Sequence, residues 1–283
     1  MPQRIHELKI GIVTDSTADI SSDLAIKNDI HVVPAILVVD GRSLEDGIGI
    51  SREELYRQLP SMKTLPTTAA PSIGAFQKVY EDMFNTGTDY IISIHVSSFL
   101  SGIYNSSRIA AKAFSNRVHV IDSCHLTLGM GFQVLAAAQA ARSGLTIIEL
   151  KNVIEDIYKR IHLVAMLDTL EYVRRSGRVS WARSNLSNLL QIKPFLGIKA
   201  GNVIRMGETR TRQKGIERLH KMLSELGPLE QLAVLHTNAE QDAIEFAEHF
   251  KELVKQFPLI INVTSVIGVH VGPNGVGFVA VTK

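Results

Sequence analysis

Short β-branched runs alternate with longer stretches of helical spacing along this chain. Residues 9–15, Lys-Ile-Gly-Ile-Val-Thr-Asp, read as a buried strand. Residues 31–39 form another, and Pro34, which has no amide to donate, places it near a sheet edge. Residues 90–96 and 118–122 are two more. Helical spacing covers residues 51–59, 72–84, 102–114 and 126–142. Strand–helix alternation of this kind predicts a parallel sheet covered by helices.

After Gly144 the pattern changes. A helix is expected over 146–161, a strand over 162–168, a basic loop over 174–182 and a helix over 183–191. Residues 197–209 read as a hairpin turning at Ala200-Gly201-Asn202. A helix over 210–226 stops at Gly227-Pro228. A strand at 232–236, a helix over 240–256 and a strand over 259–267 make a βαβ unit. Ile244, Ala247, Phe250, Val254 and Phe257 would share one face of that helix. Residues 275–281 close as a strand. The expected fold is a two-domain α/β protein. Residues 1–160 carry the parallel sheet between helices, and residues 161–283 form a smaller α/β domain with a mixed or antiparallel sheet.

Composition narrows the class. The 283 residues suit about two domains, and 45% apolar with 20% charged residues suits a globular chain with a sizeable core. Thirty basic against 28 acidic residues leave +2, too little for bulk attraction to nucleic acid or an anionic membrane. One cysteine, Cys124, rules out an internal disulfide and fits a reducing cytosol. Residues 1–9 lack the apolar core of a signal peptide, and the apolar run 32–39 is too short to span a bilayer. A cytoplasmic protein without integral membrane association is expected.

Several motifs fail. There is no Gly-x-Ser-x-Gly elbow. The nearest phosphate-loop candidate, 207–215, lacks the closing Gly-Lys-Ser/Thr, and Gly129-Met-Gly131 lacks a third glycine. His119, Asp122 and His125 have metal-like spacing but straddle a strand end and a loop, so no metal is assigned. The sequon at Asn105 has no meaning without a secretory signal.

Five segments remain. Thr14-Asp15-Ser16-Thr17 follows a buried strand at the sheet edge where ligands bind in open α/β folds; turn-capping by Asp15 and Ser16 is the plainer alternative. Thr67 and Thr68 lie between Pro66 and Pro71 in a rigid loop, with Ser72 as an N-cap. Ser97, Ser98 and Ser101 precede Gly102, where a helix start favours an anion or is simply capped. His270 sits in a glycine-rich turn, Gly268 to Gly277, at the end of a strand. Arg174, Arg175 and Arg178, with Arg205, Arg210, Arg212 and Lys214, make local basic patches that suit phosphate, carboxylate or plain solvent.

Together and in this order the motifs resemble the DegV family of bacterial fatty-acid-binding proteins. The resemblance is carried by Val13-Thr-Asp-Ser-Thr17, Ser97-Ser-x-Leu-Ser-Gly102, Ile121-Asp-Ser123 with Gly129-x-Gly131, Arg174-x-x-Gly-Arg178, Lys193-Pro194, Arg210-Thr-Arg212 and Gly268-x-His-x-Gly272. It implies a carrier, without catalysis or cofactor of its own, for one long-chain fatty acid such as palmitate or oleate. Some members present the acid to a separate ATP-dependent fatty acid kinase, which makes an acyl phosphate for phospholipid synthesis. By resemblance, Thr68 and Ser101 hydrogen-bond the carboxylate and His270 lies beside it. Ser97, Ser98 and Gly102 are further contacts, and Arg210 faces the kinase or the phosphate. This chain departs from the family loop Thr-Ser-Gln-Pro-Ser, with Ala69 and Ala70 in place of serine and glutamine. The competing enzyme reading is similar to dihydroxyacetone kinases, with His270 or His95 capturing a small carbonyl substrate. A third reading is an interaction protein that uses the arginine clusters.

Overall fold

The computed structural model describes residues 8–183 and 192–283. The first half runs β1 (Ile10–Asp15), α1 (Ser22–Lys27), β2 (Ile30–Val33), β3 (Ile36–Val39), β4 (Arg42–Glu45), α2 (Arg52–Gln58), β5 (Thr67–Ala69), α3 (Ile73–Asn85), β6 (Tyr90–His95), α4 (Ile103–Ala111), β7 (Val118–Asp122), α5 (Thr127–Arg142) and α6 (Ile147–Arg160). The second runs β8 (Ile161–Met166), α7 (Glu171–Ser176), β9 (Lys193–Lys199), β10 (Asn202–Thr209), α8 (Arg212–Ser224), β11 (Leu229–His236), α9 (Glu240–Phe250), β12 (Leu259–Asn262), α10 (Ser265–Val271) and β13 (Val276–Thr282). The helix expected over 183–191 lies, beyond its first residue, outside the described residues.

β2-β1-β6-β7 form a four-stranded sheet whose pairings are all parallel. β10-β9-β8-β13-β11-β12 form a six-stranded mixed sheet, antiparallel except between β11 and β12. This is the expected fold class: a helix-covered parallel sheet followed by an α/β unit with a mixed sheet. Strand order changes direction between β1 and β6, and ligands of open α/β sheets collect outside the carboxyl ends of strands at such a point.

α5 lies between the two sheets. Met130, Val134, Ala137 and Ala138 join the core of the parallel sheet, while Leu128 and Phe132 join the core under the mixed sheet. A helix apolar on every side is one buried on every side. Serine and threonine caps start several other helices, among them Ser72 for α3 and the Thr146–Glu149 capping box of α6.

Five expectations are corrected. The strand read over 31–39 is two strands in different sheets. The chain turns at Pro34, and the Ala35 amide donates to Ser16 Oγ (3.0 Å). β3 then pairs with β4 and β5 in a small antiparallel sheet, so the loop read between the prolines holds a strand. Residues 259–267 are not one strand: β12 ends at Asn262 and α10 begins at Ser265. The 174–182 loop opens inside α7. The buried face of α9 is Ala243, Phe246, Ala247 and Phe250, because the helix stops at Phe250; Ile244 and Phe257 are exposed.

The start of α10 is pinned by the first unit. Thr264 N donates to the buried Asp19 Oδ1 (2.8 Å), Thr264 Oγ1 donates to the Asp46 carboxyl, and Tyr56 OH donates to the Val263 carbonyl (2.8 Å). Arg52 bridges Asp19 (3.3 Å) and the Asn262 carbonyl. Gly268 admits this packing: a Cβ there would stand 2.2 Å from Tyr56 OH. These contacts hold α10 and its C-terminal His270 against the first unit.

Candidate functional site

A cavity of about 760 Å³ opens at the switch point, with walls from both units: Thr17, Val96 and the 98–103 segment on one side, Leu196, Val203 and α10 on the other. Most of its wall is apolar. Its polar residues include Thr17, Ser98, Ser101 and Asn105, and a hydrogen-bonded cluster where β5, α10 and the end of α7 meet. Thr68 Oγ1 lies 3.0 Å from His270 Nε2, and Arg178 Nη2 donates to Thr68 Oγ1 at 3.5 Å.

Each member is placed by local structure. Thr68 is set by the edge strand β5, opposite Leu37 of β3. His270 occupies the last turn of α10, not a turn after a strand. Gly272 ends that helix at φ +81, where a Cβ would stand 2.2 Å from the Tyr172 ring. Arg178 follows Gly177, which leaves α7 at φ +70, and Arg178 Nη1 is steadied by the Ser176 carbonyl (2.7 Å). Burial pushes the His270 imidazole down to about 4, and the Arg178 guanidinium adds to it. His270 is therefore neutral near pH 7, and with Thr68 it offers a hydrogen-bonding pair beside one fixed positive charge. An anionic headgroup fits that set, because Arg178 supplies charge and the hydroxyl supplies direction.

Ser101, Ser98 and Gly102 stand on the same cavity wall. Ser101 Oγ accepts the Ile103 amide (3.3 Å), and α4 has no side-chain cap at Gly102. Ala69 and Ala70 line the cavity too, with Ala70 Cβ 3.8 Å from where a Gly102 Cβ would stand. The departure from the family loop thus puts methyl groups on the cavity wall.

Two expected contacts are not on that wall. Ser97 is wholly buried; its hydroxyl donates to the Gly201 carbonyl (2.8 Å) and accepts the Phe99 amide (3.3 Å). It fastens the β9–β10 turn to the end of β6. Arg210 is exposed, away from the cavity. The basic patches are largely paired off: Arg175 with Glu171, Arg205 with Glu208, and Arg212 with Asp242 and the Asn274 carbonyl. Asp15 and Ser16 follow the capping alternative, accepting the Thr17 and Ala35 amides.

His95 is not a candidate for substrate capture. It is fully buried, with Nδ1 2.9 Å from Asp15 Oδ2 and Nε2 2.7 Å from Ser93 Oγ, and it does not line this cavity. Among the described residues no group of three or more His, Cys, Asp or Glu is placed to hold a metal ion. Arg178 is the cavity residue that reading the sequence left in a patch; the glycine before it in an arginine-rich run was the available signal.

His125 supports the site from behind. Its carbonyl accepts the Ser97 amide (2.9 Å), and burial, with His162 nearby, pushes its imidazole down to about 4. A histidine lowered from about 6.5 gives stability that is complete above 6.5 and lost as pH falls towards 4. At pH 5 the loss is about 2 kcal/mol for each such histidine. His270 adds the same sign. Asp19 opposes them: burial raises its carboxyl to about 6, so its contribution grows as pH falls through 6. The ligand-free protein is therefore expected to lose stability between pH 7 and 5, and His125→Asn to shrink that loss. Urea midpoints at the two pH values check this; an unchanged difference in the variant counts against it.

The fold and site define an α/β protein with a parallel, a mixed and a small antiparallel sheet, a mostly apolar cavity between its units and a hydrogen-bonded polar cluster on one wall. The family model described as "uncharacterised protein, DegV family" matches residues 9–283. A DegV domain-containing protein of Caldanaerobacter subterraneus is 34% identical over 275 residues, 95% of this chain and 97% of the relative. A fatty-acid-binding DegV family protein from Thermus thermophilus has a similar structure, with TM-score 0.90, 29% identity, and coverage of 98% of this chain and 100% of the other. DegV, a fatty acid binding protein from Bacillus subtilis, gives TM-score 0.86 at 29% identity over 98% and 100%. The chain belongs to the DegV family.

Proposed function

We propose that this protein binds one long-chain fatty acid. The carboxylate lies at Thr68, Arg178 and His270 with Ser101 alongside, and the acyl chain lies along the apolar cavity. The observation that carries this reading is the Thr68–His270–Arg178 cluster on the wall of a mostly apolar cavity, whose volume lies within the roughly 300–1,000 Å³ typical of ligand sites. About 14 buried methylenes at ~0.8 kcal/mol each give ~11 kcal/mol before ordering costs, so the headgroup need only add direction. The two solved relatives named above bind fatty acids, and both match along nearly the whole chain.

We further propose a carrier role in the cytoplasm of a bacterium. The protein would present the carboxylate to a separate ATP-dependent kinase, giving an acyl phosphate and ADP for phospholipid synthesis. The absence of a phosphate-loop motif supports a substrate-holding part over an enzyme. No helix among the described residues is long and apolar enough to cross a membrane.

The test is direct. Protein purified natively, denatured and extracted with organic solvent is expected to release a near-stoichiometric fatty acid, weighed by mass spectrometry. An empty extract together with failure to take up added palmitate or oleate would overturn the reading. Presentation is tested by trapping an acyl hydroxamate in the presence of ATP and a fatty acid kinase.

A further inference from the structure

Beyond the polar wall, the cavity meets a second chamber of about 90 Å³. Leu126, Leu196, Val203, Ile267 and Val271 border both spaces and form a collar between them. No Asp, Glu, Lys or Arg among the described residues borders the chamber. Two of its polar groups are committed to backbone: His236 Nδ1 accepts the Ala239 amide (3.2 Å) and Thr237 Oγ1 the Gly275 amide (2.7 Å).

The floor of the chamber is the mixed sheet. Leu163, Ile198 and Leu235 project branched side chains towards it. That row is interrupted at one point, where Ala165 of β8 is paired with Gly277 of β13. A Cβ built on Gly277 would stand 3.0 Å from Ala165 Cβ and 2.5 Å from the Val164 carbonyl, so both positions face the same way and the second cannot carry a side chain. β8 lies inside the sheet, between β9 and β13, and its neighbours Val164 and Met166 are buried. Ala165 is nonetheless only partly buried. What it is open to is the chamber.

We infer that the Ala165–Gly277 dent seats the methyl end of the acyl chain and limits its length. This rests on the proposed fatty-acid reading and adds a residue that sets specificity. The chamber has over half the volume of the ~150 Å³ apolar cavities that stay dry and take benzene, so it has room for the last few carbons. Ala165→Leu adds three carbons and fills it. Ile198→Ala, on the next strand, removes three carbons and enlarges it.

The test is competition for a bound fluorescent fatty acid by saturated acids of 14, 16, 18 and 20 carbons. Wild type, Ala165→Leu and Ile198→Ala are compared, with thermal melts to establish folding. Each methylene kept out of the chamber weakens binding about four-fold. Ala165→Leu is therefore expected to weaken the 18-carbon acid roughly 10- to 50-fold while leaving the 14-carbon acid within about two-fold. Ile198→Ala is expected to shift preference towards 20 carbons. If both variants keep the wild-type order and ratios, the tail seat is overturned while fatty-acid binding stands. If Ala165→Leu fails to fold, the sign of the Ile198→Ala shift decides. If no acid of any length competes on wild type, the fatty-acid reading falls and the tail seat falls with it.

Discussion

Thr68→Val is expected to weaken fatty-acid retention roughly 10- to 100-fold, and Thr68→Val with His270→Ala to leave the protein nearly empty on purification. Thr68 Oγ1 is the shared partner of His270 Nε2 and Arg178 Nη2, so removing one hydroxyl loosens the whole cluster. A hydrogen bond to a charged group is worth about 1.5–3 kcal/mol, or one to two powers of ten in affinity. In the proposed reading the acyl chain supplies most of the binding, but burying it is non-directional. Wild type should therefore discriminate strongly between an acid and its methyl ester, and the double variant should bind the two alike. Thermal melts should show both variants folded, because the three side chains are only partly buried or exposed and lie at the rim of the cores. Bound acid at wild-type levels in the double variant would remove the carboxylate from this corner of the cavity.

The parallel sheet was legible because its strands are buried on both faces and read as continuous apolar runs. Residues 9–15 and 90–96 needed only their ends trimmed to become β1 and β6. α5 was equally plain as a helix, though its place between two sheets lies in packing. Pro34 was read as placing its strand near a sheet edge, and β2 is an edge strand, but the proline also ends that strand and sends the chain into another sheet. Asp40-Gly41, both at positive φ between β3 and β4, was a hairpin signal passed over. The small sheet it begins is what positions Thr68. α10 was the hardest element. Val266, Ile267, Val269 and Val271 have strand propensity, and glycine at 268 weakens a helix. Packing decides otherwise, since Gly268 lets the helix close on Tyr56 while Thr264 is held by Asp19 and Asp46.

The candidate site was barely legible from local pattern. Thr68 and His270 are 202 residues apart, and no spacing rule joins them; only the resemblance did. Ser97, Ser98 and Ser101 looked like one anion-binding set. The structure divides them: Ser98 and Ser101 face the cavity, while Ser97 is spent on the Gly201 carbonyl of the other unit. The turn after β6 separates them, with the Leu100 and Ser101 amides returning to the Ser97 carbonyl, and a serine count does not contain that turn. Arg178 was hidden for the opposite reason. Its neighbours in sequence are a solvated or paired face, and the left-handed turn at Gly177 separates it from them.

His95→Leu is expected to cost about 3–5 kcal/mol of stability, the usual penalty for stranding one partner of a buried polar pair. Contact order Ser93–His95–Asp15 matches the order of a nucleophilic triad, yet all three residues are completely buried. The chain of contacts runs on from Ser93 Oγ to Tyr80 OH (2.8 Å) and from Tyr80 OH to Ser107 Oγ (2.7 Å). It joins β1, β6, α3 and α4 behind the switch point. Asp15 also accepts the amides of Thr17 (3.1 Å) and Val96 (3.2 Å), the two residues that carry those strand ends onto the cavity wall. The network therefore holds the Thr17–Val96 part of the cavity wall in shape and is itself closed off from the cavity. Asp15→Asn added to His95→Leu should recover part of the loss, because an amide leaves no stranded carboxylate and still accepts one amide hydrogen. Chemical denaturation of the wild type, the single variant and the double variant checks both numbers. A change below about 1 kcal/mol in His95→Leu would mean that the network is not what joins these strands. A loss of fatty acid from the folded variant, at unchanged Thr68 and His270, is the expected sign that this part of the cavity wall has relaxed.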